Sequence, residues 1–134
     1  MIVVDTNMIG YLYLTSEHSP LAEQVFIKDS LWSAPLLWRS ELRNGLAFYI
    51  RKGLLSLPEA QQVMGEATRL MQDREYEVPS HQILNLVATS TCSAYDCEFI
   101  ALAKDLELPL ITTDKQILNQ FPDIAISPEK FASG

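Results

Sequence analysis

Four acids in this 134-residue chain stand where the character of the sequence changes. Asp5 directly follows the apolar run Ile2-Val3-Val4, and Asp114 follows the apolar stretch 108–111 across Thr112 and Thr113. Glu41 falls about one turn into a stretch that reads as helix, and Asp96 falls in the first turn of another. Singly, each has an ordinary structural role. Asp5 and Asp114 suit helix N-caps. Asp96 stands three residues after Ser93, as in a capping box, and Glu41 lies between Arg39 and Arg43 on what would be a solvated face. Together they suggest chemistry. Two like charges ~5 Å apart repel by about 3 kcal/mol at an effective dielectric of ~20. A crevice of carboxylates therefore raises its own pKa values unless a cation compensates. Ligands that are all oxygen favour Mg²⁺ or Mn²⁺ over Zn²⁺. Such an ion activates water and neutralises charge in phosphoryl chemistry.

Those acids meet only if the right elements position them. Ile2–Val4 reads as a buried strand ending in the polar turn Asp5-Thr6-Asn7, with a helix through Tyr13. Residues 19–29 read as a helix with Pro20 in its first turn. Residues 31–34 form a second strand that Pro35 interrupts, and 36–51 a helix. Apolar residues recur at helical steps over 57–72, behind the capping box Ser56/Glu59. Strands are expected at 76–78, 108–111 and 124–126, and helices at 80–90, 94–106 and 115–120. Strands apolar on both faces, alternating with helices, imply a three-layer α/β domain around a parallel sheet. In such sheets sites gather beyond the carboxyl ends of the strands, at the switch point of strand order. Spacing alone leaves open whether the first and fourth strands are neighbours.

The composition is that of one globular domain over residues 1–134, with 48% hydrophobic and 20% charged residues. Seventeen acids against ten bases give a net charge of −7, the reverse of the usual nucleic-acid footprint. Setting the four acids aside leaves thirteen against ten, so part of that acidity is metal-binding equipment. Cys92 and Cys97 make no disulfide scaffold, and His18 and His81 have no cysteine at zinc spacing. The N-terminal residues lack a signal-peptide pattern, and no apolar run reaches the ~18 residues of a membrane span. A cytoplasmic setting is expected, with no membrane partner.

The local sequences IVVDTN, WRSELRNGLA, SAYDCEFIALA and LPLITTD, in that order, resemble the PIN-domain nucleases, and among them the VapC-like toxins of toxin–antitoxin systems. The resemblance spans essentially the whole chain. It implies a PIN-like parallel sheet of order 3-2-1-4-5, which sets the first and fourth strands side by side. Asp5, Glu41, Asp96 and Asp114 then match the family's four acids in turn. Asn7 and Thr112 match polar positions that support the site, and Thr113 stands beside them. The implied activity is Mg²⁺- or Mn²⁺-dependent endoribonuclease cleavage, with structured RNA such as tRNA a common substrate. The implied partners are RNA, a second copy of the chain and an antitoxin protein. Many members carry a further acid two residues after the fourth. This chain has Gln116 there, which leaves one-metal and two-metal catalysis both open.

On this reading Asp5, Asp96 and Asp114 hold the metal directly or through water, and Glu41 holds metal or activates the attacking water. Arg39, Arg43, Arg51 and Lys52, four bases against one acid over 39–52, would form a phosphate-binding edge or a solvated helix face. Trp32, Trp38, Phe48 and Tyr49 suit core or interface better than base stacking. The Met64–Met71 face suits core or a partner groove. The alternatives are a receiver-like phosphoacceptor domain and a noncatalytic PIN fold. The first wants an acidic doublet after the first strand, where this chain has Asp5-Thr6. The second is disfavoured by the intact acid quartet.

Overall fold

Ile2–Val4, three β-branched residues in a row, form strand β1 with every side chain buried. A strand covered on both faces needs no polar alternation. A computed structural model describes residues 1–134. The chain continues through α1 (Thr6–Tyr13), α2 (Ser19–Lys28), β2 (Trp32–Pro35), α3 (Leu37–Arg51), α4 (Leu57–Met71) and β3 (Glu75–Tyr76). Then come α5 (Ser80–Ala88), α6 (Ala94–Leu106), β4 (Leu110–Ile111), α7 (Lys115–Gln120), β5 (Ala125–Ile126) and α8 (Pro128–Ser133).

The five strands form one parallel sheet of order β3-β2-β1-β4-β5, flanked by the helices. The chain builds outward from β1 to β3, then returns to the other side of β1 to place β4. Strand order therefore reverses between β1 and β4, where Val3 pairs with Leu110 and Val4 with Ile111. This is the switch point where α/β sheets open a crevice. A receiver-like sheet has order 2-1-3-4-5, so the topology rejects that alternative.

The core gathers the strand side chains, Trp32 among them, with Trp38, Met71 and most of α6, where Phe99 to Ala103 are buried all round. Both indoles are fully buried and both have partners. Trp32 Nε1 donates to the Asp29 carbonyl at 2.8 Å, and Trp38 Nε1 to Glu75 Oε2 at 2.8 Å. Phe48 is not core: it is 56% exposed, with the Lys52 ammonium 5.6 Å from its ring. No helix is long and apolar enough to cross a membrane.

Several boundaries differ from expectation. Pro35 closes β2 instead of breaking it. The ladder to β3 uses the amides of Ala34 and Leu36, which donate to Arg74 and Tyr76, so the missing N–H of Pro35 costs no bond. Strand β3 is Glu75–Tyr76 and not 76–78, because that same ladder sets its register. Strand β4 starts at Leu110, after Pro109, whose carbonyl still accepts from Val3. Helix α5 stops at Ala88, where the Thr89 hydroxyl folds back onto the Asn85 and Leu86 carbonyls. Helix α8 was not anticipated, although Ser127-Pro128-Glu129 is a start signal. Ser127 caps the Lys130 amide at 3.2 Å.

Candidate active site

Each acid reaches one cleft from a different chain segment. Asp5 is the N-cap of α1 and Asp114 the N-cap of α7, so their structural role and their position at the strand ends are one fact. Each uses one oxygen as a cap: Asp5 Oδ1 accepts from the Met8 amide at 3.1 Å, and Asp114 Oδ1 from the Ile117 amide at 3.1 Å. Asp96 differs from a capping-box acid. The Ser56/Glu59 box before α4 is complete in both directions, whereas at α6 only the Asp96 amide bonds the Ser93 hydroxyl. The Asp96 carboxylate is thus left to face the cleft. Glu41 projects from the second turn of α3, and Thr6 Oγ1 donates to its Oε1 at 2.7 Å.

The four carboxylates line a single cleft of about 310 Å³, together with Thr6, Asn7 and Asn44. No Lys or Arg lines it. The cleft opens at the N-termini of α1, α6 and α7, whose helix dipoles give partial positive charge that offsets part of the acidity. Thr112 joins two of the acids. Its buried hydroxyl donates to Asp5 Oδ2 and accepts the Asp114 amide at 3.0 Å.

Burial raises Asp5 from 3.8 to about 6, against the opposing Thr112 and Met8 hydrogen bonds, with Asp114 and Asp96 adding a further upward push. Asp96 is raised by burial and then by Asp114. Glu98, also on α6, is raised by burial and then by Glu41. This excess of negative charge, with oxygen-only donors and no lining base, suits a hard divalent cation. As the side chains stand, no three His, Cys, Asp or Glu groups are drawn together closely enough to cage an ion. Mg²⁺ fits such a site, because it keeps several waters and needs only one or two direct carboxylates.

The other expected residues divide. Asn7 and Thr112 are at the site. Thr113 turns away, with its hydroxyl 3.5 Å from the Tyr11 hydroxyl. Arg43, Arg51 and Lys52 are exposed on α3 and its end, outside the cleft. Arg39, expected on a phosphate-binding edge or a solvated helix face, is paired with Glu75. Its Nε and Nη2 each bond the carboxylate at 2.6 Å, in the bidentate form that planar guanidinium favours. That pairing holds the Glu75 carboxyl below its ordinary value. Its stabilising effect is therefore present at neutral pH and lost as pH falls through the lowered pKa. Glu75→Gln is expected to cost about 1 kcal/mol at pH 7, since Arg39 is partly solvated, and less at pH 3, where protonation weakens the wild-type pairing. Urea denaturation at the two pH values measures this, and an equal loss at both would contradict it.

Thr6, Asn44 and Glu98 were not anticipated. Asn44 lies three residues after Glu41, hence on the same face of α3, and that spacing was a usable signal. Nothing in the sequence marked Glu98.

Residues 2–124 match the PIN domain family. Over 124 residues the chain is 27% identical to Ribonuclease VapC3 of Pyrobaculum aerophilum, covering 90% of this chain and 95% of that protein. Its fold is similar to that of PAE2754 from the same organism, with TM-score 0.78 and 18% identity over 98% of this chain and 93% of that one. It is also similar to a chain of a toxin–antitoxin complex from Klebsiella pneumoniae (TM-score 0.72, 15% identity, 96% and 98% covered). A third similar structure is FitAcB from Neisseria gonorrhoeae (TM-score 0.70, 19% identity, 96% and 99% covered). With its acids, its strand order and this match over nearly its whole length, the chain belongs to the PIN domain family.

Proposed function

We propose that this chain is a Mg²⁺- or Mn²⁺-dependent endoribonuclease and the toxin of a toxin–antitoxin pair. The observation that carries the reading is the convergence of Asp5, Glu41, Asp96 and Asp114 on one base-free cleft. The similarity to a protein named Ribonuclease VapC3 supports RNA as the substrate, and the toxin–antitoxin neighbour supports a protein inhibitor as partner. Structured RNA such as tRNA is the substrate class we favour, with a homodimer in the cytoplasm as the working form.

Asp5, Asp96 and Asp114 would hold the cation directly or through water. Bound there, it would lower the pKa of a water and neutralise charge on the phosphate. Glu41 has one oxygen on the Thr6 hydroxyl, which leaves the other to accept a proton from the attacking water. Thr112 fixes Asp5 and the start of α7 relative to each other. Asn7 and Asn44 offer amides to phosphate oxygens at the cleft wall. The N-termini of α1 and α6 add fixed partial charge favourable to an anion. Arg43, Arg51 and Lys52 would contact the RNA backbone farther out. For the inhibitor, a groove lined by Tyr13, Leu14, Tyr49, Leu54 and Val63 beside α4 offers apolar contact.

The test is cleavage of a structured RNA with Mn²⁺, with EDTA, and by Asp114→Asn. Cleavage that depends on Mn²⁺ and is lost in the variant is expected. Cleavage that persists in EDTA would overturn the reading.

A further inference from the structure

Thr91 lies in the turn between α5 and α6, five residues before Asp96. Gln116 and Gln120 lie one helical turn apart on α7, just after Asp114. These three residues are exposed and line none of the cleft. Yet every polar atom of Thr91 is held by α7. Gln116 Nε2 donates to the Thr91 carbonyl at 2.9 Å and to its hydroxyl at 2.8 Å. The Thr91 amide donates to Gln120 Oε1 at 2.9 Å, and Gln120 Nε2 donates to the same hydroxyl. The next residue, Cys92, is buried, which fixes the turn to the core on its other side.

We infer that Thr91, Gln116 and Gln120 are positioning residues that clamp the start of α6 to α7 and thereby set the separation of Asp96 and Asp114. The inference rests on the metal-dependent reading and deepens it. Asp96 and Asp114 face one cleft and repel each other when both are charged. Asp96 sits on a helix start whose capping box is only half made. Asp114 starts a six-residue helix. Core packing seats α6 and the Thr112 hydroxyl seats the start of α7, each on its own side. The clamp crosses directly between them, and four exposed hydrogen bonds to one threonine add more geometry than stability, because water competes for each. The Gln116 side chain thus supports the site from outside the cleft.

The test is Mn²⁺ binding to the purified chain, read from the loss of the free-ion electron paramagnetic resonance signal. Thr91→Val and the double variant Gln116→Ala/Gln120→Ala are compared with Gln62→Ala. Gln62 is an exposed glutamine on α4 whose side chain bonds only Glu66. Melting temperature is measured in parallel. The clamp variants are expected to bind Mn²⁺ about tenfold more weakly, with melting temperatures close to that of Gln62→Ala, whose affinity stays at the wild-type value. RNA cleavage should then lose kcat at saturating RNA with KM little changed. Folded clamp variants with wild-type Mn²⁺ affinity would overturn the inference while leaving the metal reading intact. An equal affinity loss in Gln62→Ala would also overturn it. A wild-type chain that binds no Mn²⁺ would overturn the metal reading, and the inference with it.

Discussion

Asp5→Asn is expected to remove RNA cleavage and, without metal, to stabilise the fold at neutral pH. The two effects have one cause. Asp5 sits under burial and beside two other acids, and its carboxyl is raised from 3.8 to about 6. A carboxyl raised on folding favours the folded state while protonated. That contribution is complete below about pH 4 and is lost as pH rises through 6. At 1.36 kcal/mol per unit, the charged form is penalised by about 3 kcal/mol above pH 7. Asparagine removes the charge and keeps an oxygen to accept the Met8 amide, but its NH₂ cannot accept from the Thr112 hydroxyl as Oδ2 does, so the net gain falls below that penalty. Urea denaturation in EDTA should show the variant more stable at pH 8, by less than about 3 kcal/mol, and the gain should fade by pH 4. Cleavage should fall about a hundredfold or more, since even residues that only support a metal ligand are worth ten- to a hundredfold. A variant less stable than wild type at pH 8 would contradict this account of the site.

Thr112→Val should act in the opposite direction. The isosteric change deletes a buried hydroxyl that donates to Asp5 and accepts the Asp114 amide. It leaves a carboxylate oxygen and a backbone N–H without these partners, at a cost of about 2 kcal/mol. The bond to a charged carboxylate is the stronger one, so the loss should be greater at pH 8 than at pH 4. Thr112→Ser keeps the hydroxyl and should retain most of the stability and cleavage. Equal behaviour of the Val and Ser variants would show that the hydroxyl is not what joins the two acids.

The acids were legible because their local context is unusual. Asp5 ends a wholly apolar strand, and Thr112-Thr113-Asp114 ends another. A parallel sheet concentrates polar residues at such ends. The adjacency of β1 and β4, which makes these two ends one site, lay in no local spacing. It came through resemblance, and the observed order bears it out. Strand limits were less legible, because β3, β4 and β5 are two residues each and their limits are set by partners in register, not by composition. The ion pair of Arg39 was illegible for a similar reason. Its partner Glu75 is 36 residues away and meets it only when β3 joins the sheet edge. The pairs Glu41–Thr6 and Thr91–Gln116 are likewise tertiary, so the sequence around each acid carries no trace of them.

The chemistry of the RNA ends tests the metal-activated water most directly. A water that attacks phosphorus leaves linear phosphate and hydroxyl ends, whereas attack by the neighbouring 2′-hydroxyl first leaves a 2′,3′-cyclic phosphate. End analysis of RNA cleaved by the wild-type chain in Mn²⁺ should show linear ends only, with none formed in EDTA or by Asp5→Asn. Cyclic phosphate ends, or linear ends formed undiminished by Asp5→Asn, would contradict the assignment of the acid cleft as the catalytic centre.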